Sequence, residues 1–286
     1  MKICRYDFNR VGAVVGDGVY DITDLFDRNL SWPVPQGDIV IAQLKGVVER
    51  GIDLRGRSRR SLDSVRLESP VANPGKIVGA PVNYHAHIEE ANADNEINTG
   101  KTYTTLEAYG GFLKANSSLI GPADEVQLAF SDRRTDHEVE LAVVIGKTAR
   151  YVKANSALDY VAGYAIGLDM SIRGQETPCY RKSADTYSVL GPWLVLPDEI
   201  PDPDSLEMSL RVNGELRQQA NTRLLIVGVR RLIEYTSALY TLNPGDIIMT
   251  GTPAGVGPVV AGDVMDAEIE KIGSLRIRVA TRHGND

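Results

Sequence analysis

Cysteine is scarce in this chain: Cys4 and Cys179 are the only two in 286 residues. A chain this long with so few does not lean on disulfides, and a reducing cytoplasm fits. No cysteine pair has ligand spacing, and the histidines number four, His85, His87, His137 and His283, so zinc is disfavoured. Long apolar runs are missing too. None approaches the ~20 residues that span a bilayer, and the opening "MKICRYDFNR" has no apolar core of signal-peptide length. Excess positive charge is absent: the net charge is -7 and the pI about 5.3. A field of that sign argues against nucleic acid or an anionic membrane surface as the main partner. The one basic cluster, "RGRSRR" at Arg55 to Arg60, reads as a solvated loop. No internal repeat and no low-complexity tract is seen. There is no Walker A loop, no dinucleotide fingerprint and no G-x-S-x-G elbow, which removes the nucleotide-binding and serine-hydrolase readings.

What is present suits a soluble, cytoplasmic globular protein. Hydrophobic residues make up 43% and charged residues 24%, enough for a large core with an ordinary surface. Residues 1–72 read as a small N-terminal β-rich domain, with a hairpin signal in "CRYDFNRVGAVVGDGVYDITDL" followed by a polar, Arg-rich stretch. "SPVANPGK", from Ser69 to Lys76, reads as a linker. Residues 73–286 form a second region of short strands and turns: "EVELAVVIG", "VAGYAIGLDM", "GPWLVLP", "SLEMSLRVNGELRQ", "GDIIMTGTPAGVG" and "DVMDAEIEKIGSLRIRVA". The clearest helix runs from about Leu225 to Leu242, stopping before Pro244-Gly245. "NYHAHIEEANADNE" reads as a short helix in a polar loop. The fold class is mixed α/β, dominated by strands.

The chemistry centres on "DHEVELAVVIGK", a strand by its period of two. Val139, Leu141, Val143 and Ile145 share one face; Glu138, Glu140, Ala142 and Val144 share the other. Two carboxylates side by side repel, and burying either one unpaired is expensive. Something positive belongs between them. "GYAIGLDMSIRG" supplies Asp169 at the end of a second apolar strand. Three carboxylates, with oxygen as the only donor, suit a hard cation such as Mg²⁺ or Mn²⁺; the alternative is a solvated strand face with an unrelated Asp. In "NYHAHIEEA", His87 and Glu90 are i,i+3 neighbours if the segment is helical. A carboxylate beside an imidazole fixes its tautomer and raises its basicity; the alternative is a routine surface pair. His137 alternates to the Val139 side and reads as a packing or hydrogen-bonding residue. Lys182 precedes an apolar strand and is by default a surface lysine. The Gly-rich turn in "GDIIMTGTPAGVG" offers the Thr252 hydroxyl and backbone N–H groups to a carboxylate.

Six segments in order, "VGAPVNYHAH", "DHEVELAVVIG", "GYAIGLDMSIRG", "RKSADTYSVLGPW", "VNGELRQQANT" and "PGDIIMTGTPAGVG", resemble the fumarylacetoacetate hydrolase family from about Asn73 onward. The resemblance implies a β-roll catalytic domain, a Mg²⁺ or Mn²⁺ cofactor and a homodimer. It puts the metal ligands on Glu138, Glu140 and Asp169, and a His-x-x-Glu lid dyad on His87 and Glu90. The active-site lysine falls on Lys182, and substrate contacts fall on Arg173, Lys182 and Thr252. The chain departs from the family pattern at Glu176, where a glutamine is frequent and Gln175 stands alongside, at Ala184, and at Ile277. "RKSADTYSVLGPWLV" looks like members that cleave 2,4-diketo acids derived from sugar acids, such as 2,4-diketo-3-deoxyrhamnonate. The implied reaction is hydrolysis of an acylpyruvate. His87 and Glu90 activate a water that attacks C4, Lys182 stabilises the oxyanion, and the C3–C4 bond breaks to release pyruvate. The alternatives are an oxaloacetate decarboxylase, an isomerase or hydratase of unsaturated diacids, and a metal-stabilised binding protein without catalysis.

Overall fold

The computed structural model describes residues 1–30, 32–33, 36–98 and 100–282; His283 lies outside them. Its backbone is a twelve-stranded mixed sheet with a five-stranded sheet on one face. The central order runs Lys2–Tyr6, Ser188–Val195, Val161–Asp169, Val139–Ile145, Ile247–Met249, Ile77–Gly79, Phe112–Lys114. The N-terminal strands Lys2–Tyr6, Arg10–Val15 and Gly18–Asp21 continue this same sheet, because Lys2 pairs with Val195 and Ile3 with Leu194. No helix among the described residues is long and apolar enough to cross a membrane.

The strand Val139–Ile145 is buried on both faces. Its odd-numbered side chains join a core shared with Met208, Leu210, Met265 and Ile277 of the five-stranded sheet and with Leu232 and Ile233. Ala142 and Val144 face the opposite core, built with Val40, Ile41, Leu44 and Val47. The period-two pattern therefore assigns the faces correctly; what lies beyond them differs from an ordinary edge strand, since neither face meets water.

Two helices differ from the sequence expectation. Ile39–Glu49 is a helix that its Ile-Val-Ile and Val-Val pairs disguise. Asp38 caps it, accepting N–H bonds from Val40 (2.9 Å) and Ile41 (3.1 Å). The expected helix at Leu225–Leu242 is shorter, Val229–Leu239. Its start is set by Asp204, which accepts from the Val229 N–H at 2.8 Å.

Candidate active site and metal centre

Pairing between the strands Val139–Ile145 and Val161–Asp169 sets the site. Val139 stands opposite Leu168 and Glu140 opposite Gly167, and the Asp169 N–H donates to the Glu138 carbonyl at 2.9 Å. Glu138, Glu140 and Asp169 are therefore brought together, with one carboxylate oxygen of each lying within 4.8 Å of the others. All three are buried. The spacing of the sequence gives the two glutamates; only the register brings in the aspartate.

Positive charge does sit among them. Lys182 Nζ donates to Glu138 Oε2 (2.6 Å), Asp169 Oδ2 (2.8 Å) and Ser171 Oγ (2.5 Å). Lys182 is buried rather than a surface lysine. Arg173 donates from Nε to Asp136 Oδ2 (2.7 Å) and from Nη2 to Glu138 Oε1 (3.0 Å). The sequence reading missed Lys114, which is buried behind the triad and holds Asp169 Oδ1 together with the Tyr187 carbonyl. It also missed Ser171, whose hydroxyl donates to Glu138 at 2.8 Å. Lone residues in a sequence give no sign of partners that are tens of positions away.

The compensation is uneven. Burial alone would raise the Glu138 carboxyl, but Lys182, then Arg173 and His87, outweigh it and hold it well below the usual range. Among the described residues no cation pairs directly with Glu140. Burial, then the charges of Asp169 and Glu138, push it well above the usual range against Lys182 and the Gly251 N–H. That N–H, at 2.7 Å, is its one hydrogen-bond donor among the described residues. An oxygen-only donor set with one carboxylate left short of positive charge fits Mg²⁺ or Mn²⁺.

His87 and Glu90 lie on the helix His85–Ala93, where His87 is buried. Nδ1 sits 3.0 Å from Glu90 Oε2. The other carboxylate oxygen, Oε1, accepts from the Gly255 N–H at 2.9 Å. Glu90 is thereby fixed between the helix and the Gly-rich turn. Gly255 needs its glycine: φ is +97°, and a Cβ would meet the Arg217 carbonyl oxygen at 2.0 Å. With Glu90 accepting, Nδ1 carries the proton, and in the neutral imidazole Nε2 is left as an acceptor. His87, the triad, Arg173, Lys182 and Thr252 all line one cavity of about 50 Å³.

Thr252 lines it with a committed side chain. Its hydroxyl donates to the Val139 carbonyl (2.9 Å) and accepts from Gln218 Nε2 (2.8 Å). The Thr252 backbone N–H makes no hydrogen bond among the described residues. His137 bonds Gln218 Oε1 at 3.1 Å and stays out of the cavity, a hydrogen-bonding role as its parity implies. Glu176 faces away and pairs with Arg133 at 2.8 Å.

Residues 76–280 match the family model described as fumarylacetoacetate hydrolase C-terminal. A maleylpyruvate hydrolase from Aquipseudomonas alcaligenes is 53% identical over 284 residues, covering 98% of this chain and 99% of the relative. A 2,4-didehydro-3-deoxy-L-rhamnonate hydrolase from Sphingomonas sp. (strain SKA58) is 39% identical, covering 100% and 99%. Among solved structures, maleylpyruvate hydrolase from Sphingobium sp. SYK-6, in complex with manganese (II) ion and pyruvate, superimposes with a TM-score of 0.83 at 42% identity, covering 98% of this chain and 99% of that one.

Proposed function

The chain belongs to the fumarylacetoacetate hydrolase family, and from that premise we propose a metal-dependent hydrolase that cleaves the C3–C4 bond of an acylpyruvate. The products are pyruvate and a carboxylic acid. The observation that carries this reading is the dyad: His87 is oriented by a Glu90 that is itself pinned by Gly255, and it lines the same cavity as the triad. A site that only bound a keto acid, or only decarboxylated one, has no use for an oriented base. The maleylpyruvate hydrolases among the relatives support the reaction class.

Glu138, Glu140 and Asp169 would hold Mg²⁺ or Mn²⁺. The bound cation supplies Lewis-acid stabilisation of negative charge at the keto-acid end of the substrate. His87 Nε2 takes a proton from water, whose oxygen bonds to C4. Glu90 stabilises the imidazolium that results. Lys182, whose ammonium lies among Glu138, Asp169 and Ser171 and lines the cavity, is the cation that would stabilise the C4 oxyanion. The C3–C4 electron pair then passes to C3, the carbonyl at C4 reforms as a carboxylic acid, and His87 returns its proton to C3. Arg173 holds Glu138 and Asp136 in position while it lines the cavity. We expect the helix carrying the dyad to close over the bound substrate and exclude bulk water. A cytoplasmic homodimer completes the proposal, supported by the family resemblance and the low cysteine content.

Glu90→Gln tests it. The variant keeps shape but removes the carboxylate behind His87. Acylpyruvate hydrolysis should fall by roughly 10²–10⁴ with KM little changed, while any oxaloacetate decarboxylation persists. Equal loss of both activities would mean the dyad organises the whole site; untouched hydrolysis would remove His87 and Glu90 from the chemistry.

A further inference from the structure

Arg181 is the cavity's unmatched cation. It is buried, with 5% of its surface exposed, at the end of the short helix Pro178–Arg181. Nε donates to the Glu176 carbonyl (2.9 Å) and one terminal nitrogen, Nη1, to the Ile172 carbonyl (3.1 Å). Among the described residues it pairs with no carboxylate, and Nη2 makes no hydrogen bond. Arg173 and Lys182, which line the same cavity, each have two carboxylate partners. Burial, then the like charge of Arg173, disfavours the Arg181 cation. A guanidinium does not deprotonate in response, so the cavity keeps a mostly buried charge that Glu138 and Glu176 ease only at a distance and that no carboxylate contacts directly among the described residues.

Charge counting points the same way. Counted with Glu140 ionised, as metal binding requires, the buried anions around the site are Asp136, Glu138, Glu140 and Asp169, and the buried cations are Lys114, Arg173, Arg181 and Lys182. These cancel. A divalent cation adds two positive charges, and an acylpyruvate with a neutral tail brings back only one negative charge. A second carboxylate on the tail restores the balance.

Building on the proposed acylpyruvate reaction, we propose that Arg181 is a specificity-determining residue that binds a second carboxylate at the acyl end, so that the preferred substrates are 2,4-diketo diacids. The planar fork of arginine suits a carboxylate. Ile97, Tyr103 and Pro178 supply cavity wall beside Arg181, which suits an unsaturated or apolar connecting chain better than one bearing hydroxyls. The maleyl tail of a maleylpyruvate has this chemistry; a deoxy sugar-acid tail, neutral and hydroxylated, does not.

The test is calorimetric binding to the Mn²⁺-loaded protein of 2-oxoheptanedioate and 2-oxoheptanoate. They differ only in the distal carboxylate, and neither has the C4 carbonyl that is cleaved. The wild type should bind the diacid roughly 10- to 100-fold more tightly. Arg181→Met should lose that preference while keeping the wild-type affinity for the monoacid, and Arg181→Lys should recover part of it. No preference in the wild type overturns the inference without need of any variant. So does a preference retained in Arg181→Met, or an equal loss of affinity for both ligands, which would make Arg181 a support for Lys182. Pyruvate release from 2,4-diketo acids is measured separately. Its absence would defeat the hydrolase reading while the binding preference still judged Arg181.

Discussion

Glu140 carries the largest unsolved electrostatic problem in the metal-free protein. Burial first, and then Asp169 and Glu138, raise its carboxyl well above the ordinary value of 4.5. A raised carboxyl holds its proton in the folded chain and loses it in the unfolded one. Its contribution to stability is thus fully present below the unfolded pKa and is lost as pH rises toward the folded value. Glu140→Gln should abolish that loss. In thermal melts of metal-stripped protein, the variant should gain a few degrees in Tm over wild type above neutral pH and show a flatter pH dependence. Its Mn²⁺ affinity should fall. A variant no more stable than wild type at high pH would mean that Lys182 and Lys114 already neutralise the whole triad.

At the scale of elements, the helix Ile39–Glu49 hangs on one side chain. Asp38 Oδ1 accepts from Val40 and Ile41, and Oδ2 accepts from the Ala72 (2.7 Å) and Asn73 (3.1 Å) N–H groups. One buried carboxylate thereby caps the helix and fastens the segment that reads as a linker. Asp38→Ala should cost about 2–4 kcal/mol, more than an ordinary cap, because two further N–H groups lose their partner. Urea melts would measure it, and kcat of the folded fraction should not change, since no residue of this helix lines the cavity that holds the triad. The same helix shows where the sequence misleads. Ile39, Val40, Ile41, Val47 and Val48 favour strands intrinsically, yet the cap and burial against the sheet override that preference. The glutamate strand was legible because a period of two survives whatever covers it, and the i,i+3 spacing of His87 and Glu90 was legible once a helical turn was allowed. Lys114, Ser171 and Arg181 were not. Their roles come from partners on other elements, and a lone lysine after Phe112-Leu113 looks like any edge-strand residue.

On the scale of the whole molecule, the strands before residue 70 belong to the same sheet as the catalytic ones, through the pairing of Lys2 with Val195. The family match begins at residue 76, so the sheet is shared across that boundary and the triad sits near its middle. The proposed hydrolysis depends on the assembled sheet and on a divalent cation held by its carboxylate cluster. The most direct test is pyruvate release from maleylpyruvate by metal-stripped protein as Mn²⁺ or Mg²⁺ is added back. Release should be negligible without metal and should rise saturably to full turnover as the site fills. Undiminished pyruvate release from the thoroughly stripped protein, or none from any acylpyruvate at saturating metal, would contradict the account.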